Sequence, residues 1–111
     1  MFGFGRPRHC EISPTELQKL LADGKALLVD VREPDEFAQE RIAGAINMPL
    51  SSFQPSRLPS AEGRTVILQC AGGKRSGMAL EKCAAAQAAI DTHLAGGLAA
   101  WKAAGLPLTR G

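Results

Sequence analysis

Hydrophobic positions along the chain fall into two alternating rhythms. Residues 26–31 and 65–68 are near-continuous apolar, β-branched runs, the pattern of strands covered on both faces. Leu17, Leu20 and Leu21 recur at helical spacing behind Ser13-Pro14-Thr15-Glu16. That start has a Ser N-cap, Pro at the first helical position and Glu three residues after the Ser, and Gly24 ends the segment. Pro34-Asp35-Glu36-Phe37 reads as a second helix start, with acids in its first turn complementing the dipole. Residues 45–48 predict a short strand, and Pro55 and Pro59 leave at most a helical turn in residues 51–60. Residues 75–89 are Ala-rich and predict a long helix, with Ala79 and Cys83 on its core face.

Two ends of the pattern are weaker. Residues 9–12 predict a short first strand, preceded by a loose leader over 1–8. Residues 88–94 are expected to hold the last strand, although Asp91 sits inside it and Gln87 stands where a helix-ending glycine is usual. Gly96-Gly97 opens a final helix with Leu98 and Trp101 on one face, and Gly105 with Pro107 closes it. The compact domain is therefore expected over 9–108, with 109–111 as a tail. Strands alternating with helices, joined by connections too long for hairpins, predict an α/β fold: a mostly parallel sheet with helices on both faces.

Composition narrows the function. At 111 residues the chain is one domain, able to bury roughly 60–70% of its unfolded surface without disulfide or metal staples. A formal net charge of +2, with no basic stripe interleaved with aromatics, argues against a nucleic-acid partner. Residues 1–10 hold no apolar core of signal-peptide length and no stretch approaches a membrane span, so no membrane partner is expected and the cytoplasm is the default location. Cys10, Cys70 and Cys83 are odd in number and widely spaced, which suggests no disulfide framework. His9, Cys10 and His93 do not have the spacing of a metal site, and no metal is expected.

Chemistry concentrates at Cys70. The cysteine stands where a buried strand becomes the loop Ala71-Gly72-Gly73 and then, at Lys74-Arg75-Ser76, a helix. A helix N-terminus with nearby cations lowers a thiol's pKa, and the thiolate is the nucleophile. Two glycines allow a tight turn whose backbone N–H groups converge on an anion. Cys70 is thus the candidate nucleophile, and residues 71–76 the candidate cradle for an anionic substrate. Cys83 reads as a small buried hydrophobe. Asp30 reads as a carboxylate bonded to nearby backbone or to Arg32. Arg32 lies at the same strand edge as Cys70, where it either adds positive potential or closes a salt bridge.

Cys70-Ala-Gly-Gly73-Lys-Arg75-Ser76 resembles the C-x-x-G-x-R-S active-site loop of single-domain rhodaneses. Three further blocks resemble the same family in the family's order: residues 28–37, residues 42–49, and residues 94–101 with Gly105-Leu106-Pro107. Together they span about residues 11 to 108. The chain departs from the family at Glu40-Arg41, where Gly-His is usual. The resemblance implies a three-layer α/β/α fold with a mostly parallel five-stranded sheet, and makes Asp30 structural. It implies a sulfurtransferase: Cys70 takes sulfur from an anionic donor such as thiosulfate, forms a persulfide, and passes the sulfur to a thiophilic acceptor. Ala71, Gly72, Gly73, Lys74, Arg75, Ser76 and Arg32 are the expected substrate-binding residues, with no cofactor. A non-catalytic persulfide carrier serving a partner protein is the alternative. Phosphatases or arsenate reductases on the same fold come third, because their loop is C-x5-R whereas Cys70 and Arg75 enclose four residues.

Overall fold

A computed structural model of the chain describes residues 9–111, so the expected leader over 1–8 lies outside the described residues. Five strands form one parallel sheet: β1 (Cys10–Ile12), β2 (Ala26–Asp30), β4 (Ile46–Asn47), β5 (Thr65–Gln69) and β6 (Thr92–Leu94), in the order β1-β6-β5-β2-β4. All five residues of β2 are buried, and they divide by parity. Leu27 and Val29 face one side with Leu68, Phe53 and the helix residues Ala79, Leu80 and Cys83; α3 spans Lys74–Ala85. Ala26 and Leu28 face the other side with Ile67, Leu17 of α1 (Pro14–Ala22), and Leu98 and Trp101 of α4 (Gly97–Ala103). Helices thus cover both faces, giving the expected three layers.

Local signals set the element ends. At α1 the Ser13 hydroxyl accepts the Glu16 N–H at 3.2 Å while the Glu16 carboxylate accepts the Ser13 N–H at 3.2 Å, a reciprocal cap. The Ala-rich helix stops at Ala85, earlier than the composition suggests, because Gln87 takes a left-handed φ of 59° in place of the missing glycine. The last strand is correspondingly short. Residues 50–57 contain two single-turn 3-10 helices, one more than expected, the second opening at Pro55.

The expected tail is tied into the fold. β7 (Thr109–Arg110) pairs antiparallel with β3 (Glu40–Arg41), which directly follows α2 (Pro34–Gln39). Glu40 pairs with Arg110 across this ribbon and with Lys102 from the segment 97–103. The β3–β7 pairing occupies Glu40 and Arg41, where the sequence departs from the pattern of the family it resembles. No described helix is long and apolar enough to cross a membrane.

The carboxyl ends of β2 and β5 are locked by one buried cluster. Asp30, 0% exposed, accepts from Arg32 N (2.9 Å), Arg32 Nη2 (2.8 Å) and Gln69 Nε2 (2.6 Å). Arg32 also donates to the Glu40 carbonyl at 2.7 Å, so the cluster joins two strands to the end of α2. After β2 the chain crosses to β4, and after β5 it crosses to β6 on the opposite side. Such a switch in direction opens a crevice at the strands' carboxyl ends. Removing one member of a buried ion pair leaves the other charged and unpaired, at a cost of about 3–5 kcal/mol. Asp30→Ala should therefore lower the urea-unfolding free energy by roughly that amount; a loss below about 1 kcal/mol would mean the cluster does not hold the strand ends.

Candidate active site

Cys70 follows the last residue of β5 and is 1% exposed. Its Sγ accepts N–H groups from Gly73 at 3.0 Å and Ser76 at 3.3 Å, and lies 3.5 Å from the Ser76 hydroxyl. The loop can curl back onto the sulfur because Gly73, the N-cap of α3, has φ 107°, a conformation costly for any residue with a Cβ. Gly72 has no such requirement: a Cβ there would meet nothing within 4 Å among the described residues. The amides of Lys74 and Arg75 are in the first helical turn, with no carbonyl available to them inside the helix.

The final helix holds the other side of the loop. Leu98 N donates to the Cys70 carbonyl at 2.8 Å and Ala99 N to the Ala71 carbonyl at 3.0 Å. The approach is close enough that a Cβ on Gly97 (φ 61°) would overlap the Cys70 carbonyl oxygen and lie 2.7 Å from the Ala71 carbonyl carbon. The double glycine of the C-terminal block therefore serves the Cys70 loop across the sheet.

Two opposed influences set the thiol's ionisation. Burial is the largest and favours the neutral thiol. Hydrogen bonds from the Ser76 hydroxyl and from the amides of Ser76, Gly73 and Gly72 outweigh it, and the pKa falls below its ordinary value. Cys83 has burial alone, which pushes its thiol up and leaves it inert. The same solvent exclusion gives opposite results because only Cys70 is surrounded by donors.

Positive charge around the loop is arranged differently from the sequence expectation. Arg75 makes two parallel bonds to the Glu36 carboxylate, at 2.7 and 3.1 Å. The Arg75 hydrogen bond, opposed by burial and helped by the Glu33 amide, holds Glu36 at about 2, so this pair is lost only as pH falls through about 2. Arg32, expected among the substrate-binding residues, spends its guanidinium on Asp30 and on the Glu36 and Glu40 carbonyls. That is the salt-bridging alternative. Lys74 is exposed and, among the described residues, forms no salt bridge. Half-buried Ala71 and Gly73 and exposed Gly72 form the wall of the loop.

Two side chains at the site were not assigned to it from sequence. Glu36 is 39 positions from its partner Arg75, and the parallel pairing of β2 with β5 brings them together. His93 stands opposite Leu68 in the β5–β6 register and reaches Ser76, with Nδ1 2.7 Å from the hydroxyl oxygen. Among the described residues no group of three or more His, Cys, Asp or Glu side chains is placed to hold a metal ion.

Comparison with known proteins places this geometry in context. The rhodanese-like domain family matches residues 13–104. An uncharacterized protein of Synechocystis is 48% identical over 99 residues, covering 89% of this chain and 55% of that protein, so the chain spans about half of that relative's length. A protein of Allochromatium vinosum named sulfurtransferase is 36% identical over 101 residues, covering 88% of this chain and 92% of its own. Among solved structures, a thiosulfate sulfurtransferase from Pseudomonas aeruginosa superimposes with a TM-score of 0.79 at 30% identity, covering 95% of this chain and 20% of that one.

Gly97→Ala should open the loop by pushing α4 off the Cys70 carbonyl. The expected result is a stable sheet, judged by far-UV circular dichroism, with Cys70 alkylated more slowly by iodoacetamide at pH 7. Alkylation at the wild-type rate would show that α4 does not shape the loop.

Proposed function

We propose that the chain, which belongs to the rhodanese-like domain family, is a sulfurtransferase that carries sulfane sulfur on Cys70. The observation that carries this reading is the sulfur of Cys70, buried yet bonded to the amides of Gly73 and Ser76 at the start of α3. A nucleophile stabilised by N–H donors instead of by water is ready to react without first shedding a hydration shell.

In the proposed first half-reaction the Cys70 thiolate attacks the outer sulfur of thiosulfate. The new S–S bond forms to Cys70, the original S–S bond breaks, and sulfite leaves with the bonding pair. The persulfide anion then places one further sulfur inside the loop, where the free Lys74 and Arg75 amides are available to it. In the second half-reaction an acceptor such as cyanide attacks the terminal sulfur, thiocyanate departs, and the Cys70 thiolate is restored. Charge and atoms balance in both halves with no metal or organic cofactor.

Two features favour sulfur over phosphorus. The loop is one residue shorter than C-x5-R, and Arg75 is engaged by Glu36 and so is not free to fork onto a phosphoryl group. Three equatorial phosphoryl oxygens would then be short of donors, and an unpaired buried polar group costs about 1–3 kcal/mol. The carrier alternative uses the same residues and differs only in lacking turnover with a small acceptor.

The test is thiocyanate formation from thiosulfate and cyanide, run beside aryl phosphate hydrolysis. Wild type should form thiocyanate and leave aryl phosphate intact, and Cys70→Ser should form no thiocyanate and hydrolyse no aryl phosphate. Hydrolysis of aryl phosphate that depends on Cys70 and rivals sulfur transfer would overturn the reading.

Charge around the loop makes a second prediction. Glu36→Gln should release the Arg75 cation and lower KM for thiosulfate, while Lys74→Ala should raise it. Each change should be about two- to fivefold, as expected for an exposed charge worth about 0.5–1 kcal/mol. Added salt should shrink both differences. Initial rates at varied thiosulfate check this, and unchanged KM in both variants would leave attraction of the anion to the backbone amides alone.

A further inference from the structure

Ser76 has one hydroxyl proton and three polar neighbours. Its oxygen lies 3.5 Å from Cys70 Sγ, 3.2 Å from the Gly73 carbonyl and 2.7 Å from His93 Nδ1. The carbonyl and a thiolate can only accept. Whether the hydroxyl can support the thiolate therefore depends on what His93 does.

His93 is 6% exposed, and among the described residues the groups facing it are few. From β1 the Glu11 carboxylate lies 3.6 Å from Nε2. From the lead-in to β1 the His9 ring stands edge-on at 6.0 Å. From α3 come Ser76 and the uncharged Gly77, and Cys70 lies beyond Ser76. Glu11 favours a proton on Nε2, because an unprotonated Nε2 would turn its lone pair toward a carboxylate.

With a proton on Nε2, two arrangements satisfy the chain. In one, the Cys70 thiol donates to Ser76 and the Ser76 hydroxyl donates to Nδ1 of a neutral imidazole. In the other, Nδ1 of an imidazolium donates to Ser76 and the Ser76 hydroxyl donates to a Cys70 thiolate. Both contain the same number of protons. They differ by one proton moved from sulfur to Ser76 and one moved from Ser76 to His93, so the sulfur can ionise without releasing a proton to solvent.

We infer that His93 is a positioning residue that, steadied by Glu11, receives the Cys70 proton through Ser76 and so holds the sulfur as thiolate. This inference rests on Cys70 being the sulfur-carrying nucleophile. Burial, the largest influence on His93, and the neighbouring His9 disfavour its charged form, while Glu11 favours it; the net effect is a lowered pKa. His93 therefore holds the second proton only while the sulfur beyond Ser76 is ionised. Glu11 is 62% exposed and leaves the outer end of the chain open to water.

The test is the pH profile of Cys70 alkylation by iodoacetamide, read on the Cys70 peptide by mass so that exposed Cys10 does not interfere. Wild type should show a midpoint below the ordinary thiol value of about 8.5. His93→Leu should raise the midpoint by about one pH unit, a tenfold loss of thiolate at neutral pH. His93→Asn should fall between the two, since its amide can still donate to Ser76 but cannot take up the proton. A folded His93→Leu with the wild-type midpoint would overturn the relay. If His93→Leu does not fold, a His93→Asn midpoint equal to wild type overturns it. Alkylation needs no sulfur donor, so the two readings fail separately. Shifted midpoints without thiocyanate formation by wild type would sink the sulfurtransferase reading, whereas turnover with unshifted midpoints would sink the relay.

Discussion

A sulfur atom that is to bear negative charge lies almost wholly out of water, and the arrangement around it follows from that constraint. Burial alone would keep the thiol protonated, as it does at Cys83. At Cys70 the donors of a helix start take the place of water. Placing those donors requires a strand that ends at the sulfur, a left-handed glycine at Gly73, and a first helical turn whose amides are not yet committed. It also requires the loop's carbonyls to face elsewhere, which α4 achieves by donating Leu98 N and Ala99 N to them.

The scaffold beneath the loop is as polar as the loop itself. Asp30, Arg32 and Gln69 form a buried cluster at the carboxyl ends of the two central strands, one residue from Cys70. Gln69 Oε1 is a buried acceptor with no protein partner among the described residues. Its orientation follows from chemistry, because the amide must turn its N–H toward the Asp30 carboxylate. Positive charge near the site is largely spent on structure: Arg32 on Asp30, and Arg75 on Glu36. The anion-binding character of the loop therefore rests more on backbone N–H groups than on side-chain cations.

Local physics was readable in the sequence, and contacts between distant segments were not. Ser13 and Glu16 signal a helix start through their own short-range bonds, and β2 and β5 signal burial through unbroken apolar runs. The Cys70 loop was legible because cysteine, glycines and helix start lie within a few residues. Glu36 carries no local mark of its partnership with Arg75, which is made by strand pairing. The β3–β7 ribbon is too short to show an alternating pattern, so residues 109–111 read as a tail. His93 sits in a three-residue strand, and only the β5–β6 register shows which face it takes. Gly96-Gly97 could be read as a helix start, whereas the close approach of Gly97 to the Cys70 carbonyl appears only once the sheet is assembled.

The central claim is that Cys70 itself receives sulfur, and intact-mass measurement after brief incubation with thiosulfate tests it most directly. Wild type should gain one sulfur atom, mapped to the Cys70 peptide, and lose it again on addition of cyanide. A protein that gains no sulfur, or gains it on Cys10 or Cys83, would contradict the account.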